Sequence, residues 1–372
     1  MSWIHEAIEA EGGEVPFDDF MELALYHPDH GYYSQQDPRY GRDGDYLTAP
    51  TASPWYGRVV GRLLTSVASA AGPMRLVDMA SGDGSFLGTL IEAIESSEDV
   101  LEDVVSVERS EAMLELQSER WHGCTPPVQV FGTLESVAGS KLPTVVHASE
   151  LYDAQPVARA IGRPSGMAEM WVGVDAGELC WRERSPRPEL AAYFDRHEVE
   201  LEDGQIGEAN LRAEEMHRQV LRAAGIIGLV VVLDYGYEAA RLYDARGRRS
   251  GSLTTFHRHQ IGRDPLGAPG EVDLTAHVNW SDLRRAAELE GWTEIGLWPL
   301  AEFLVRAGLA DELEERGFGP EAELDAATLT ARQEIKRLLD PDGMGSDLKM
   351  LVQAKGDLVG PARSALELDP EL

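Results

Sequence analysis

The residues best equipped for chemistry lie between Asp78 and Glu108. Asp78 closes a short apolar run, Arg75 to Met79, long enough for one buried strand. Ala80-Ser-Gly-Asp-Gly84 follows as a loop of small residues, after which Phe86, Leu87, Leu90, Ile91 and Ile94 recur at helical spacing. Strand, glycine loop and helix make the first turn of a nucleotide-binding α/β unit, where glycines let a ligand approach the backbone. A dinucleotide fingerprint wants a third glycine where Leu87 stands. Anionic pyrophosphate also wants free N–H groups and no competing carboxylate, yet this loop carries Asp83 beside Asp78. A cofactor with a cationic amine and a sulfonium, and no phosphate, suits those acids; S-adenosylmethionine (SAM) is such a cofactor. Val104-Val-Ser-Val-Glu108 reads as the second strand, its terminal acid placed to accept both hydroxyls of a ribose, a task shared by NAD and SAM folds. Asp78, Ala80, Gly82, Gly84 and Glu108 are therefore the expected cofactor contacts.

Further carboxylates stand at later strand ends. Glu150 and Asp153 follow the apolar run 144–149 and are one turn apart, so both can face a single pocket. The bland alternative is an N-cap acid plus a surface acid. Asp234 ends Gly225-Ile-Ile-Gly-Leu-Val-Val-Val-Leu233, the clearest buried strand, where ligands sit in open α/β sheets. It serves either to orient a substrate or to satisfy nearby turn amides. His257, His259 and His277, with Asp273, raise the question of a metal. The i, i+2 pair lacks the helix-face geometry of common zinc sites and no cysteine supports it, so no metal is expected.

The elements that must position these residues follow a regular order. From 74 to 160, strands and helices alternate at 75–79, 85–95, 104–108, 110–120, 127–131 and 144–149, the pattern of a parallel, doubly wound sheet. Residues 1–72 form a mixed N-terminal segment: a helix over Phe17–Tyr26, turn-rich stretches, then Ser53-Pro54 capping a helix to about Ala68. This segment either covers the cofactor or is a capping subdomain. An insertion over 161–224 holds a hairpin, 168–174 with 178–183, a polar stretch with a short helix, and a helix from Met216. Residues 225–356 complete the sheet. They include a long connection, 237–279, of little periodicity, helices at 300–316 and 325–338, and late strands at 291–298 and 347–355. The whole reads as the seven-stranded, mostly parallel sheet of a class I, Rossmann-like methyltransferase, with 357–372 as a flexible tail.

Composition narrows the partners. The net charge of −32, from 65 acids and 33 bases, disfavours nucleic acid, whose phosphates must be neutralised by Lys and Arg. It suits a cationic target or cofactor, and equally serves solubility or adaptation to salt. No apolar run approaches the roughly 20 residues of a membrane span. The N-terminus lacks a signal h-region and carries acids unlike a mitochondrial transit peptide, so a cytoplasmic location is expected. Cys124 and Cys180 are too few for a disulfide framework.

Several stretches, in this order, resemble the MidA-like SAM-dependent methyltransferases. They are Phe20–Tyr26 with Gly31-Tyr-Tyr33; Gly41-Arg-Asp-Gly-Asp-Tyr-Leu-Thr-Ala-Pro50; Ala148-Ser-Glu-Leu-Tyr-Asp-Ala-Gln-Pro-Val157; Leu233-Asp-Tyr-Gly236; Asp264–Val278; and Phe303-Leu-Val-Arg-Ala-Gly308. The resemblance runs from about residue 16 to 355. Two departures stand out. The family's cofactor loop resembles Glu-Leu-Gly-Pro-Gly-Arg-Gly, so here Ala80 replaces the first glycine and Asp83 an arginine; Ala80 suits a tight turn if its φ is negative. After Ala49-Pro50 the family usually has Glu-Ile-Ser, whereas this chain has Thr51-Ala-Ser53, which removes a carboxylate from the expected rim.

Mitochondrial members of this family assist respiratory complex I assembly by methylating an arginine of a partner subunit. The resemblance thus implies SAM as cofactor, S-adenosylhomocysteine as product and a protein substrate, with a respiratory-complex subunit as candidate; a homodimer is a separate expectation for the assembly. It gives Glu150 and Asp153 the task of pinning a guanidinium by bidentate contacts, with Asp234 as the next catalytic acid. Gly44, Asp45, Tyr46 and Thr48 would close over the methionine part of SAM, Thr133 and Leu134 would flank the adenine, and Tyr235, Asp273 and His277 would meet the substrate. Two rivals stay open: a small-molecule methyltransferase reached through the loops 41–53 and 237–279, and a non-catalytic assembly or scaffold protein, which Ala80, Asp83 and Thr51 favour.

Overall fold

A computed structural model describes residues 2–35, 48–95, 100–257 and 260–368. Its centre is a sheet of strands β1 (Met74–Met79), β2 (Leu101–Val107), β3 (Val128–Phe131), β4 (Thr144–Ser149), β5 (Gly228–Tyr237), β6 (Thr293–Pro299) and β7 (Leu348–Lys355). They lie in the order β6-β7-β5-β4-β1-β2-β3. Only β7 runs antiparallel to its neighbours, and Val278–Asn279 adds a short parallel pairing at the end of β5. The order reverses between β1 and β4, so the crevice for a ligand opens at their carboxyl ends. Those are the ends that carry Asp78 and Glu150.

Alternation along the strands divides the core into two layers. Leu76, Val145, Val231 and Leu233 face the helices Pro54–Ala71 and Ser85–Ile94. Val77, Val146, Val230 and Val232 face the helices Ala213–Ala224 and Trp280–Leu289. The helix from Pro54 starts where expected, with Ser53 Oγ accepting the Trp55 N–H at 3.2 Å. It belongs to the core of the sheet rather than to a separate N-terminal segment.

Elements too short for periodicity to resolve fill the rest. A second sheet has the order Glu14–Pro16, Gly166–Asp175, Ala158–Arg163, Ile206–Ala209, with Glu178–Arg184 paired to Gly166–Asp175. The expected hairpin is its pairing of Gly166–Asp175 with Glu178–Arg184, and the N-terminal strand pairs with Gly166–Asp175 as well. The connection 237–279 is not structureless: it holds short helices at Ala239–Leu242 and Ala245–Arg248 and a three-stranded sheet of Thr254–His257, Gln260–Gly262 and Asp273–Thr275. The helix expected over 300–316 breaks at Gly308, whose φ of 87° no helix interior accepts.

The C-terminal stretch is a correction. Val359–Leu366 is a helix, and Leu358, Ala362 and Leu366, spaced four apart, are buried against the core layer of the helix Pro54–Ala71. That face outweighs Gly356, Gly360 and Pro361, which suggest fraying in sequence. Leu358→Ala is therefore expected to destabilise the protein by about 2–4 kcal/mol in urea unfolding. A loss below about 0.5 kcal/mol would mean an undocked tail.

Candidate active site

The cofactor loop is built on strained backbone and buried acids. Asp78, at the end of β1, is 1% exposed. Its Oδ1 lies 2.7 Å from His147 Nδ1, and Oδ2 has no partner. His147, on β4, stacks on Phe86 with ring centres 3.8 Å apart, and its Nε2 lies 2.8 Å from the Tyr56 hydroxyl. Tyr56–His147–Asp78 is thus a continuous buried chain beneath the loop. Burial raises the Asp78 carboxyl above the usual range, and the His147 contact opposes that rise.

Glu108 organises the loop from β2. Its Oε2 accepts the Gly82 N–H at 2.9 Å and its Oε1 the Ser110 N–H at 2.8 Å. The carboxylate is deeply set yet partly open to solvent, as a cleft-lining group is; burial raises its pKa against those amides. Gly84 takes φ 75° as the N-cap of the helix Ser85–Ile94, and any Cβ there would lie 2.8 Å from the Trp121 ring. The side chains of Ser81, Ser106 and Gln117 lock together behind it.

The second group of acids converges from three elements. Glu150 follows β4 with φ 51°, its Oε1 buried without a partner. Burial and then Asp153 push its pKa well above the usual range, against a contact with the Ala49 amide. Asp153 is buried and raised by burial, Asp234 and Asp273. Asp273, itself buried, accepts the Tyr33 hydroxyl at 2.8 Å on its Oδ1. The Tyr56 hydroxyl feels both Asp78 and Glu150, which joins the two groups of acids.

Asp234 is wholly buried. It accepts the Tyr152 N–H at 2.9 Å and its neighbour Tyr235 N–H at 2.8 Å, and burial pushes it up to about 8. This is the turn-satisfying alternative: Asp234 positions the Glu150–Asp153 turn. The same turn is held from below by the Tyr152 hydroxyl, 2.7 Å from His217 Nδ1, whose Nε2 lies 2.8 Å from Gln353 Oε1. Burial lowers His217 to about 4 and keeps it neutral.

Other expected contacts fall differently. Tyr235 is half-buried and feels Glu150 and Asp153, so it belongs to the acid group. His277 instead pairs with Arg248. Thr133 is exposed with its hydroxyl on Ser136, while Leu134 packs into the layer containing Met79 and Val107. Gly44, Asp45, Tyr46 and His259 lie outside the described residues, among which no group of three or more His, Cys, Asp or Glu has metal-binding geometry. Sequence reasoning missed Tyr56, His147, Tyr26 and Tyr33. Tyr26 donates to the Ala154 carbonyl at 3.0 Å and lies under the Arg109 guanidinium at 4.2 Å, so the N-terminal segment does reach the site.

Comparison with known proteins decides the family. Residues 57–297 match the family described as "Putative S-adenosyl-L-methionine-dependent methyltransferase". This chain belongs to the MidA-like SAM-dependent methyltransferases. A Burkholderia thailandensis protein crystallised with S-adenosyl-homocysteine superposes with a TM-score of 0.84 at 27% identity, covering 99% of this chain and 95% of that one. The Drosophila melanogaster protein named "Protein arginine methyltransferase NDUFAF7 homolog, mitochondrial" is 28% identical over 392 residues, covering 93% of this chain and 83% of its own. The mouse protein arginine methyltransferase NDUFAF7, also mitochondrial, is 27% identical over 74% of this chain and 67% of its own. SAM is the cofactor. The unpartnered Asp78 Oδ2 fits its ammonium, and Glu108 fits ribose hydroxyls, since a carboxylate oxygen accepts more than one hydrogen bond.

Within the MidA-like pattern the departures now have structural meaning. Thr51 closes a capping box with Thr48: the Thr48 N–H donates to Thr51 Oγ1 at 3.1 Å and the Thr51 N–H to Thr48 Oγ1 at 3.3 Å. The Asp83 carboxylate accepts the Ser85 N–H and hydroxyl at 2.9 and 2.6 Å. Ala80 has φ 53°, not the negative value expected, so it holds the left-handed turn that the family gives to glycine. That conformation costs an L-residue about 1–2 kcal/mol, and glycine's freer unfolded chain returns part of it. Ala80→Gly is thus expected to leave the melting temperature unchanged or raise it by a few degrees in thermal unfolding. A fall of several degrees would remove the strain argument.

Proposed function

We propose that this chain transfers a methyl group from SAM to an arginine side chain of a protein partner. The observation that carries this reading is the buried convergence of Glu150, Asp153 and Asp273 beside the cofactor loop. The arginine methyltransferases among its relatives support the acceptor, and the family resemblance suggests a respiratory-complex subunit as the partner.

The acids suit a guanidinium for physical reasons. Its positive charge is shared over its nitrogens, which makes each a poor nucleophile. A carboxylate bound in bidentate fashion fixes the plane and draws positive charge away from the remaining nitrogen. Bound SAM supplies an electrophilic methyl group as a sulfonium. Glu150 Oε1, buried and unpartnered, is the acceptor for a guanidinium N–H and for the proton that the nitrogen loses. Asp153 and Asp273 supply the remaining negative charge. Asp234 and His217 hold the turn that aims Glu150.

The same burial predicts a pH dependence. Glu150 and Asp153 have raised pKa values, so the free site retains protons that an ordinary carboxylate would have lost. A guanidinium stays charged and binds the ionised acids. Its binding must expel protons, and affinity should rise from about pH 5 to about pH 8. Calorimetry in buffers of different ionisation enthalpy measures that release; an affinity flat across this range would contradict it.

Incubation with methyl-labelled SAM and isolated respiratory subunits tests the acceptor itself. Label should enter an arginine, and Glu150→Gln should lower turnover about 100-fold or more while S-adenosylhomocysteine still binds. Label entering small metabolites and no protein would overturn the reading.

A further inference from the structure

Just beyond the acid pocket, β5 ends in a cluster of opposite sign. The guanidinium carbons of Arg241 and Arg248 lie 4.3 and 3.9 Å from the centre of one aromatic ring, that of Tyr237. Arg248 Nη1 donates to His277 Nδ1 at 3.0 Å, which places the imidazole proton on Nε2 and keeps the ring neutral. Burial, Arg248 and Arg263 lower His277 to about 4. Burial and Arg241 likewise lower Lys349, and Asp347 offsets this only as the smaller influence.

Most arginines among the described residues are paired with acids, as expected at 65 acids to 33 bases. Among the described residues neither Arg241 nor Arg248 has a carboxylate within ion-pair distance. Two like charges beside one ring repel, and an anion within reach of both guanidinium groups relieves that repulsion. In a chain of net charge −32, that makes this cluster a local exception to the surrounding field.

Its position gives the anion a context. Tyr237 is two residues past Tyr235 of the acid group, on the same face of the strand, about 7 Å at strand rise. His277 lies four residues past Asp273 on the neighbouring segment. The acid pocket and the basic cluster are thus carried by the same two segments. They are separated by the span of about three residues of extended peptide.

We propose that Tyr237, Arg241, Arg248 and His277 form an anion subsite for an acidic side chain of the protein substrate, about three residues from the arginine to be methylated. It rests on the arginine acceptor proposed above, and deepens it into a sequence preference. An arginine followed or preceded by an acid at that distance places opposite charges on opposite charges. A lysine there meets repulsion, so the subsite selects as well as attracts.

Two arms separate this proposal from the acceptor itself. In the first, a fluorescent, arginine-free heptapeptide with three Glu, and its Gln counterpart, are titrated into the full chain at about 0.15 M salt, where the net charge is screened beyond about 8 Å. The Glu peptide should bind about tenfold more tightly. Arg241→Glu and Arg248→Ala should each erase that preference with S-adenosylhomocysteine binding unchanged, which also reports a native fold. Equal binding of the two peptides, or a preference that survives both substitutions, overturns the subsite; so does binding of inorganic phosphate without the Glu peptide, which would place a free anion there.

In the second arm, arginine peptides carry Glu or Gln three residues to either side. The Glu peptide should show a KM lower by about tenfold at similar kcat in one of the two directions. Equal KM values in both directions count against the subsite. Transfer to no arginine peptide, with the first arm positive, would remove the arginine acceptor and leave the subsite standing.

Discussion

The constraint on which this molecule turns is the burial of carboxylates at the carboxyl ends of adjacent parallel strands. Asp78, Glu150, Asp153 and Asp234 end or follow β1, β4 and β5, the strands at the middle of the sheet. Buried negative charges are stable only when protonated, hydrogen-bonded or matched by a cation. The fold answers differently for three of them. His147 supports Asp78, backbone amides satisfy Asp234, and Glu150 keeps one oxygen unmatched. What stays unmatched is where the chain is ready for a positively charged guest.

Left-handed backbone marks the same places. Ala80 and Glu150 are two of only four non-glycine residues with positive φ among the described residues, and each directly follows a central strand. Strain of this kind persists where the surrounding structure over-determines it. Just past Ala80 the loop is held by hydrogen bonds from Ser81 to Val107 and from Gly84 to Ser81. At Glu150 the amide bonds to Leu233 on β5, so the strained turn is tied to the strand beside it.

The sequence made much of this legible because strand ends, glycines and acids are local signals. Asp78, Gly82, Gly84 and Glu108 could be read together from one stretch of thirty-odd residues, and the central strands were long apolar runs. Tyr56 and His147 could not be paired, since 91 positions separate them and each has an ordinary role as a core aromatic. The φ of Ala80 is invisible in composition, as alanine favours the opposite region. Asp83 and Thr51 read as changes to a binding surface, whereas their side chains hydrogen-bond backbone amides at helix starts, Ser85 and Thr48. Ile206–Ala209 and Asp273–Thr275 are too short to show a period of two, and only their partners make them strands.

Tyr33 reaches Asp273 across 240 positions, and Tyr26 reaches Ala154 across 128. The acid pocket is therefore closed by contacts between the beginning of the chain and its last third. Contacts of such separation form late, because the loop entropy must be met before they contribute. During synthesis the glycine loop and β1 emerge long before Asp273, so a growing chain has the glycine loop without its completed acid pocket. The proposed transfer therefore waits on Asp273, and a fragment carrying the Rossmann-like half alone lacks one wall of that pocket.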